Sequence, residues 1–240
     1  MINGFPRLKY LNRATVVICM CLFVFGCLNN DALEGDRLEI YPDPLNKSLN
    51  LKGKKINLGV QQRISSIHQV DHGPTHQLKH SSLGNALSKD WETSDLKAGS
   101  LSAPVFTKSS LFIIDGEANL VSFDLTGRKV WMTDLGPNSE GRQRSQHSGG
   151  LAVHGNKIYA LTGFGEIIAL DVSKGTILWR RKFNSPFRGP PIIKNNRIYF
   201  VTADDLAVAM SLQGKILWSL EGPTKPTVIG KGVAPASSGN

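Results

Sequence analysis

The chain has 240 residues, 40% hydrophobic and 8% aromatic composition, and a formal net charge of +9. Those values suit a globular protein with a substantial core. The lysines and arginines are dispersed and form no recognisable nucleic-acid module, which excludes nucleic acid as an expected partner despite the positive charge.

In chain order, Arg7, Lys9 and Arg13 form a basic region ahead of a nearly continuous apolar run from Ala14 to Phe25. The run is shorter than the roughly 18–20 residues a membrane span needs, so residues 1–26 read as an export signal. It ends Val24-Phe25-Gly26-Cys27, which resembles the lipidation junction of bacterial lipoproteins, although Phe25 is bulkier than the usual residue there. An ordinary signal with a chance cysteine, or an uncleaved anchor, is the alternative. Cysteine usage favours lipidation: Cys19 and Cys21 leave with the signal, and Cys27 then has no disulfide partner. Palmitate and the other acyl chains on Cys27 would hold the protein firmly, at about 0.8 kcal/mol per buried methylene. By the lipoprotein sorting rule, Leu28 in place of aspartate implies the outer membrane. The charge then falls to +6 and favours anionic lipid or an acidic partner.

Residues 27–89 are polar, contain Pro42 and Pro44, and show no sustained period, so most of them read as a tether. His68, His72, His76 and His80 fall four residues apart. One helix would align them for a metal, but Gly73-Pro74 interrupts the run, and proline costs about 3 kcal/mol inside a helix. Neither a metal nor a cofactor is expected.

From residue 90 to 240 one pattern repeats. Leu120 to Trp131, Ile167 to Trp179 and Ala207 to Trp218 each read as an apolar strand, a glycine turn and a second strand carrying tryptophan. With Trp91, the tryptophans Trp131, Trp179 and Trp218 recur about every 40–50 residues, the period of a four-stranded propeller blade. Two short strands precede each hairpin. The expected fold is all-β: a β-propeller of four-stranded antiparallel blades, incomplete, with three full blades plus flanking strands. The regular tryptophans read as packing between blades. Asp124 and Asp171 read as turn residues accepting backbone hydrogen bonds, and Asp204-Asp205 as a solvated tip.

No Gly-x-Ser-x-Gly elbow, phosphate loop or His-Glu-x-x-His pair is present, and no catalytic residue is assigned. The run Ala169-Leu170-Asp171 to Gly175 to Trp179 resembles quinoprotein-type propeller repeats. His72-Gly73-Pro74-Thr75-His76 with Ser82-Leu83-Gly84, the loop Pro186-Phe187-Arg188-Gly189, and Gly232-Val233-Ala234-Pro235-Ala236 are similar to stretches of the outer-membrane assembly lipoprotein family BamB. That resemblance implies a non-enzymatic scaffold, lipid-anchored on the periplasmic side of the outer membrane. It would bind the periplasmic domains of the insertase BamA and other assembly-machinery subunits. Arg188 would be the contact and Phe187 an apolar anchor, where a related version of the family has leucine. The alternatives are a fragment of a quinone-dependent dehydrogenase, or a propeller lipoprotein with another periplasmic partner. Family members have about eight blades, so the chain reads as truncated, with the strand carrying Trp91 unpaired and the last blade's outer face exposed. Self-association, and impaired partner binding unless another chain completes the propeller, are expected to follow.

Overall fold

Aliphatic runs that end in Asp or Ser and a glycine turn favour tight hairpins, because the short polar side chain can satisfy the turn's own amides. The computed structural model describes residues 57–78, 80–84, 86–99, 101–137, 149–187, 189–222 and 234–237. The export signal and Cys27 lie outside them.

Twelve strands form three sheets among the described residues. The first contains β1 (Val105–Phe106), β2 (Ser110–Ile114), β3 (Asn119–Asp124) and β4 (Lys129–Asp134). The second contains β5 (Gly149–His154), β6 (Lys157–Thr162), β7 (Glu166–Asp171) and β8 (Ile177–Lys182). The third contains β9 (Ile192–Lys194), β10 (Arg197–Val201), β11 (Leu206–Ser211) and β12 (Ile216–Glu221). Each is a four-stranded antiparallel meander in chain order, as the repeat predicts.

The third and fourth strands of every blade shift register at the same place, between Ser122 and Phe123, Ala169 and Leu170, and Ala209 and Met210. Such a bulge increases local twist just before the turn. In the first turn Asp124 Oδ1 accepts from the amides of Thr126 and Arg128 at 2.9 and 3.0 Å and from the Thr126 hydroxyl at 2.6 Å. Asp171 does the same with Ser173 and Lys174. The third turn uses the shorter Ser211, whose Oγ accepts from Gln213 and Lys215.

These bonds, the Thr126 hydroxyl first, lower the Asp124 carboxyl from 3.8 to about 2. A depressed carboxyl stabilises the fold above its unfolded value and loses that contribution as pH falls through its folded value. The advantage of the native chain over Asp124→Asn in urea midpoint is therefore expected to be full at pH 6 and to vanish between about pH 4 and 2. A pH-independent difference would show that the carboxylate's charge contributes nothing.

The core lies between blades. Phe112, Ile114 and Leu120 of the first blade pack with Ile158, Ile168 and Leu170 of the second. Tyr159, Leu161 and Ile167 on the second blade's other face pack with Ile198, Phe200 and Met210 of the third. Covered on both faces, β7 reads as the unbroken apolar run Ile167-Ile168-Ala169-Leu170, with every side chain buried.

Three of the four tryptophans lie over a glycine of the next hairpin. Trp91 covers Gly127, Trp131 covers Gly175 and Trp179 covers Gly214. All three glycines have positive φ, at 83°, 67° and 85°. Trp131 Nε1 donates to the carbonyl of Val172 at 3.2 Å. In the next blade Leu212 follows the turn-starting Ser211 as Val172 follows Asp171, but its carbonyl accepts from the Tyr159 hydroxyl at 3.3 Å. The buried Trp179 N–H is left without a partner. Trp218 at the outer face of the third blade is 45% exposed and Leu220 is 68% exposed.

Two expectations change. Trp91 lies in no strand and reaches its glycine from irregular chain. The stretch read as tether to residue 89 joins the blades well before that, with bridges from Ile67 to Phe106 and from Gln69 to Ala152. Its lack of period reflects the short lengths over which it pairs, which leave no alternation to see.

Candidate partner-binding site

The loop from Phe183 to Pro190 links the outer strand of the second blade to the inner strand of the third. Its backbone is tied at three points. Phe183 N donates to Gly165 O at 2.8 Å, Phe187 N to Thr162 O at 3.3 Å, and Ala203 N to Pro186 O at 2.8 Å. Gly165 has φ of 78°, and a Cβ there would lie 2.7 Å from the carbonyl oxygen of Ser185, so glycine permits the close approach of this loop.

Phe187 is fully buried. Its ring forms a triangle with Phe183 and Phe200, with centroids 5.1–5.4 Å apart and all three pairs edge-to-face. Each such pair contributes about 0.5–1.5 kcal/mol beyond the area buried. The expected exposed anchor is therefore corrected: Phe187 points into the protein and pins the loop, leaving its own ring no surface for a partner. Arg188, next to it in sequence, lies outside the described residues.

Beside the loop is a cleft of about 250 Å³ whose lining includes Arg181, Lys182, Ser185, Thr202 and Asp204. The Asp204 carboxylate accepts from the Thr202 hydroxyl, and that bond, aided by Ser185, holds its carboxyl below the usual range. Asp204 thus stays ionised at neutral pH and presents a fixed negative charge beside Arg181 and Lys182. Lys182 Nζ donates to the Phe164 carbonyl. Charged groups held on a pinned backbone suit the docking of a polar surface.

Sequence reasoning missed Arg180. Its guanidinium pairs with Glu166 at 2.9 Å and donates to the carbonyls of Asp134 and Gly136 at 3.2 Å, so it joins the first and second blades. A basic residue immediately after a repeat tryptophan is the signal that was there to find. Among the described side chains His68, His76 and His80 do not converge. His76 Nδ1 lies 3.6 Å from Asp71 Oδ2, His80 Nδ1 lies 3.1 Å from the Gly59 carbonyl, and His68 is exposed. Among the described residues no group of three or more His, Cys, Asp or Glu side chains is placed to hold a metal.

Sequential four-stranded blades with Trp91, Trp131 and Trp179 each seated on a hairpin glycine of the blade that follows define a quinoprotein-type repeat β-propeller. A family model described as "Outer membrane protein assembly factor BamB" matches residues 116–240. The chain belongs to the BamB family.

BamB of Nitrosomonas eutropha is 28% identical over 128 residues, covering 52% of this chain and 29% of that protein. BamB of Salmonella typhimurium is 30% identical over 125 residues, covering 49% and 31%. The chain thus spans about a third of the length of these relatives. Among solved structures, the quinohemoprotein alcohol dehydrogenase from Comamonas testosteroni superposes with a TM-score of 0.51 at 17% identity, over 69% of this chain and 29% of that one. BamB from Moraxella catarrhalis gives 0.39 at 20% identity, over 47% and 33%. The dehydrogenase likeness shows the propeller fold alone.

Proposed function

We propose that this chain is a non-catalytic scaffold of the outer-membrane β-barrel assembly machinery, held through an acylated Cys27 at the periplasmic side of the outer membrane. In this reading residues 1–26 are removed on export, the polar stretch from Cys27 links the anchor to the propeller, and the propeller binds the periplasmic domains of BamA. The observation that carries the reading is the family match over 116–240, which contains the Pro186 to Gly189 loop. Arg188 makes the contact. Its neighbour Phe187 is the positioning residue that holds the loop's backbone.

The test is a pull-down of the chain from Cys27 onward against the periplasmic region of its own organism's insertase, beside Arg188→Ala. Binding is expected for the native chain, and at least about thirtyfold weaker for the variant, the loss of a hot-spot side chain. Equal binding by both would remove Arg188 from the interface. Failure of both chains to bind, while a longer BamB homologue binds, would overturn the scaffold reading for this chain.

A further inference from the structure

The inner strands β1, β5 and β9 lie side by side, and the edge of each carries a backbone amide turned away from its own sheet. One short segment satisfies all three. Ile67 exchanges a pair of hydrogen bonds with Phe106 of β1, both at 2.8 Å. The carbonyl of His68 accepts from Val153 N of β5 at 2.6 Å, and Gln69 bridges Ala152 antiparallel. Consecutive residues of an extended chain aim their polar groups to opposite sides, so three residues suffice to join two strands.

The third blade is reached by a side chain. Gln69 is only 9% exposed. Its Oε1 accepts from Ile193 N at 2.7 Å and its Nε2 donates to Ile193 O at 3.4 Å. A primary amide has the same donor and acceptor as a peptide group, so Gln69 extends the ladder sideways to β9. Ala152, Val153 and Ile193 are themselves buried, so water cannot readily replace these bonds.

We propose that the gap between β1 and β5 is a strand-acceptor site, specific for an extended peptide with glutamine placed to read β9, and that its occupant here is the chain's own Ile67–Gln69. Recognition is by strand addition, with backbone bonds supplying affinity and one side chain supplying selectivity. The inference is independent of the partner reading above. Ala at position 69 removes both bonds to Ile193, and Glu retains the acceptor while placing a second oxygen against the Ile193 carbonyl.

Amide hydrogen exchange on the chain from Cys27 onward tests it. Gln69→Ala is expected to speed exchange at Ile193 at least about tenfold, with Val121 in β3 unchanged. In a second arm, Ile67→Pro combined with Gln69→Ala unseats the segment, since proline lacks the N–H that bonds Phe106. A fluorescent peptide of residues 62–71 is expected to bind that variant and to bind the native chain, whose site is filled, at least about tenfold more weakly. The same peptide carrying Gln69→Ala is expected to lose about tenfold in affinity. Unchanged exchange at Ile193 in Gln69→Ala overturns the proposal, as does equal binding of the two peptides. Should the double variant lose its β-sheet circular dichroism, the exchange result on the single variant decides alone.

Discussion

Phe187→Ala is expected to destabilise the chain by about 3–5 kcal/mol, the cost of removing a fully buried aromatic. The side chain is 0% exposed and contacts two other rings, and the residue's amide bonds back to the second blade. Truncation opens a cavity between the second and third blades and loosens the backbone held at Pro186 and Phe187. In urea the midpoint should fall while the slope stays the same, because the surface exposed on unfolding hardly changes. Phe187→Leu keeps most of the volume and loses the edge-to-face contacts, so a milder loss of about 1–2 kcal/mol is expected. An alanine variant as stable as the native chain would show that the aromatic triangle does not pin the loop. The pair also separates pinning from direct contact: the leucine variant should still bind the insertase if Arg188 makes the contact.

Gly175→Ala is expected to cost nearly as much. The backbone there has φ of +67°, and a Cβ would lie 2.4 Å from the Trp131 ring and 2.8 Å from the Thr133 hydroxyl. Left-handed conformation costs a residue with a Cβ about 1–2 kcal/mol, and overpacking adds about 1–3 kcal/mol. Thr133 Oγ1 also donates to the Gly175 carbonyl at 2.7 Å, so the turn cannot move away without breaking that bond. Two other glycines separate the causes. Gly155 has φ of +59° with nothing within 4 Å of a Cβ, so alanine there should cost only the conformational part. At Gly214 the Trp179 ring stands 3.4 Å off, so alanine should fall between the two. The expected order of loss in thermal midpoint is Gly175, Gly214, Gly155. Equal losses at all three would mean that the tryptophan seat contributes nothing and that only φ matters.

The correction at Phe187 shows where one-dimensional reading stops. By its resemblance to the family's partner loop, Pro-Phe-Arg-Gly reads as offering Phe187 to a partner as an apolar anchor. Nothing local reveals that Phe183 and Phe200, one before and one after in sequence, close over it. Gln69 is a similar case. It sits in a polar, aperiodic stretch, and its partner Ile193 is 124 residues away. Arg180 was visible as a charge after a tryptophan, but the carbonyls it bonds belong to the preceding blade.

What the chain's own order of residues determined was the blade: an apolar strand, an Asp or Ser, a glycine turn and a tryptophan strand, repeated until three sheets were certain. Those features are local, since the turn bonds join residues at most five apart and neighbouring strands pair through short connections. Tertiary structure alone decided how one blade meets the next. The seats of Trp91, Trp131 and Trp179 on glycines, the burial of Phe187 and the insertion of Ile67–Gln69 between β1 and β5 all join residues distant in sequence. Such contacts depend on the packed shape of two surfaces, and a repeat period carries the spacing of those surfaces without the identity of what fills the space between them.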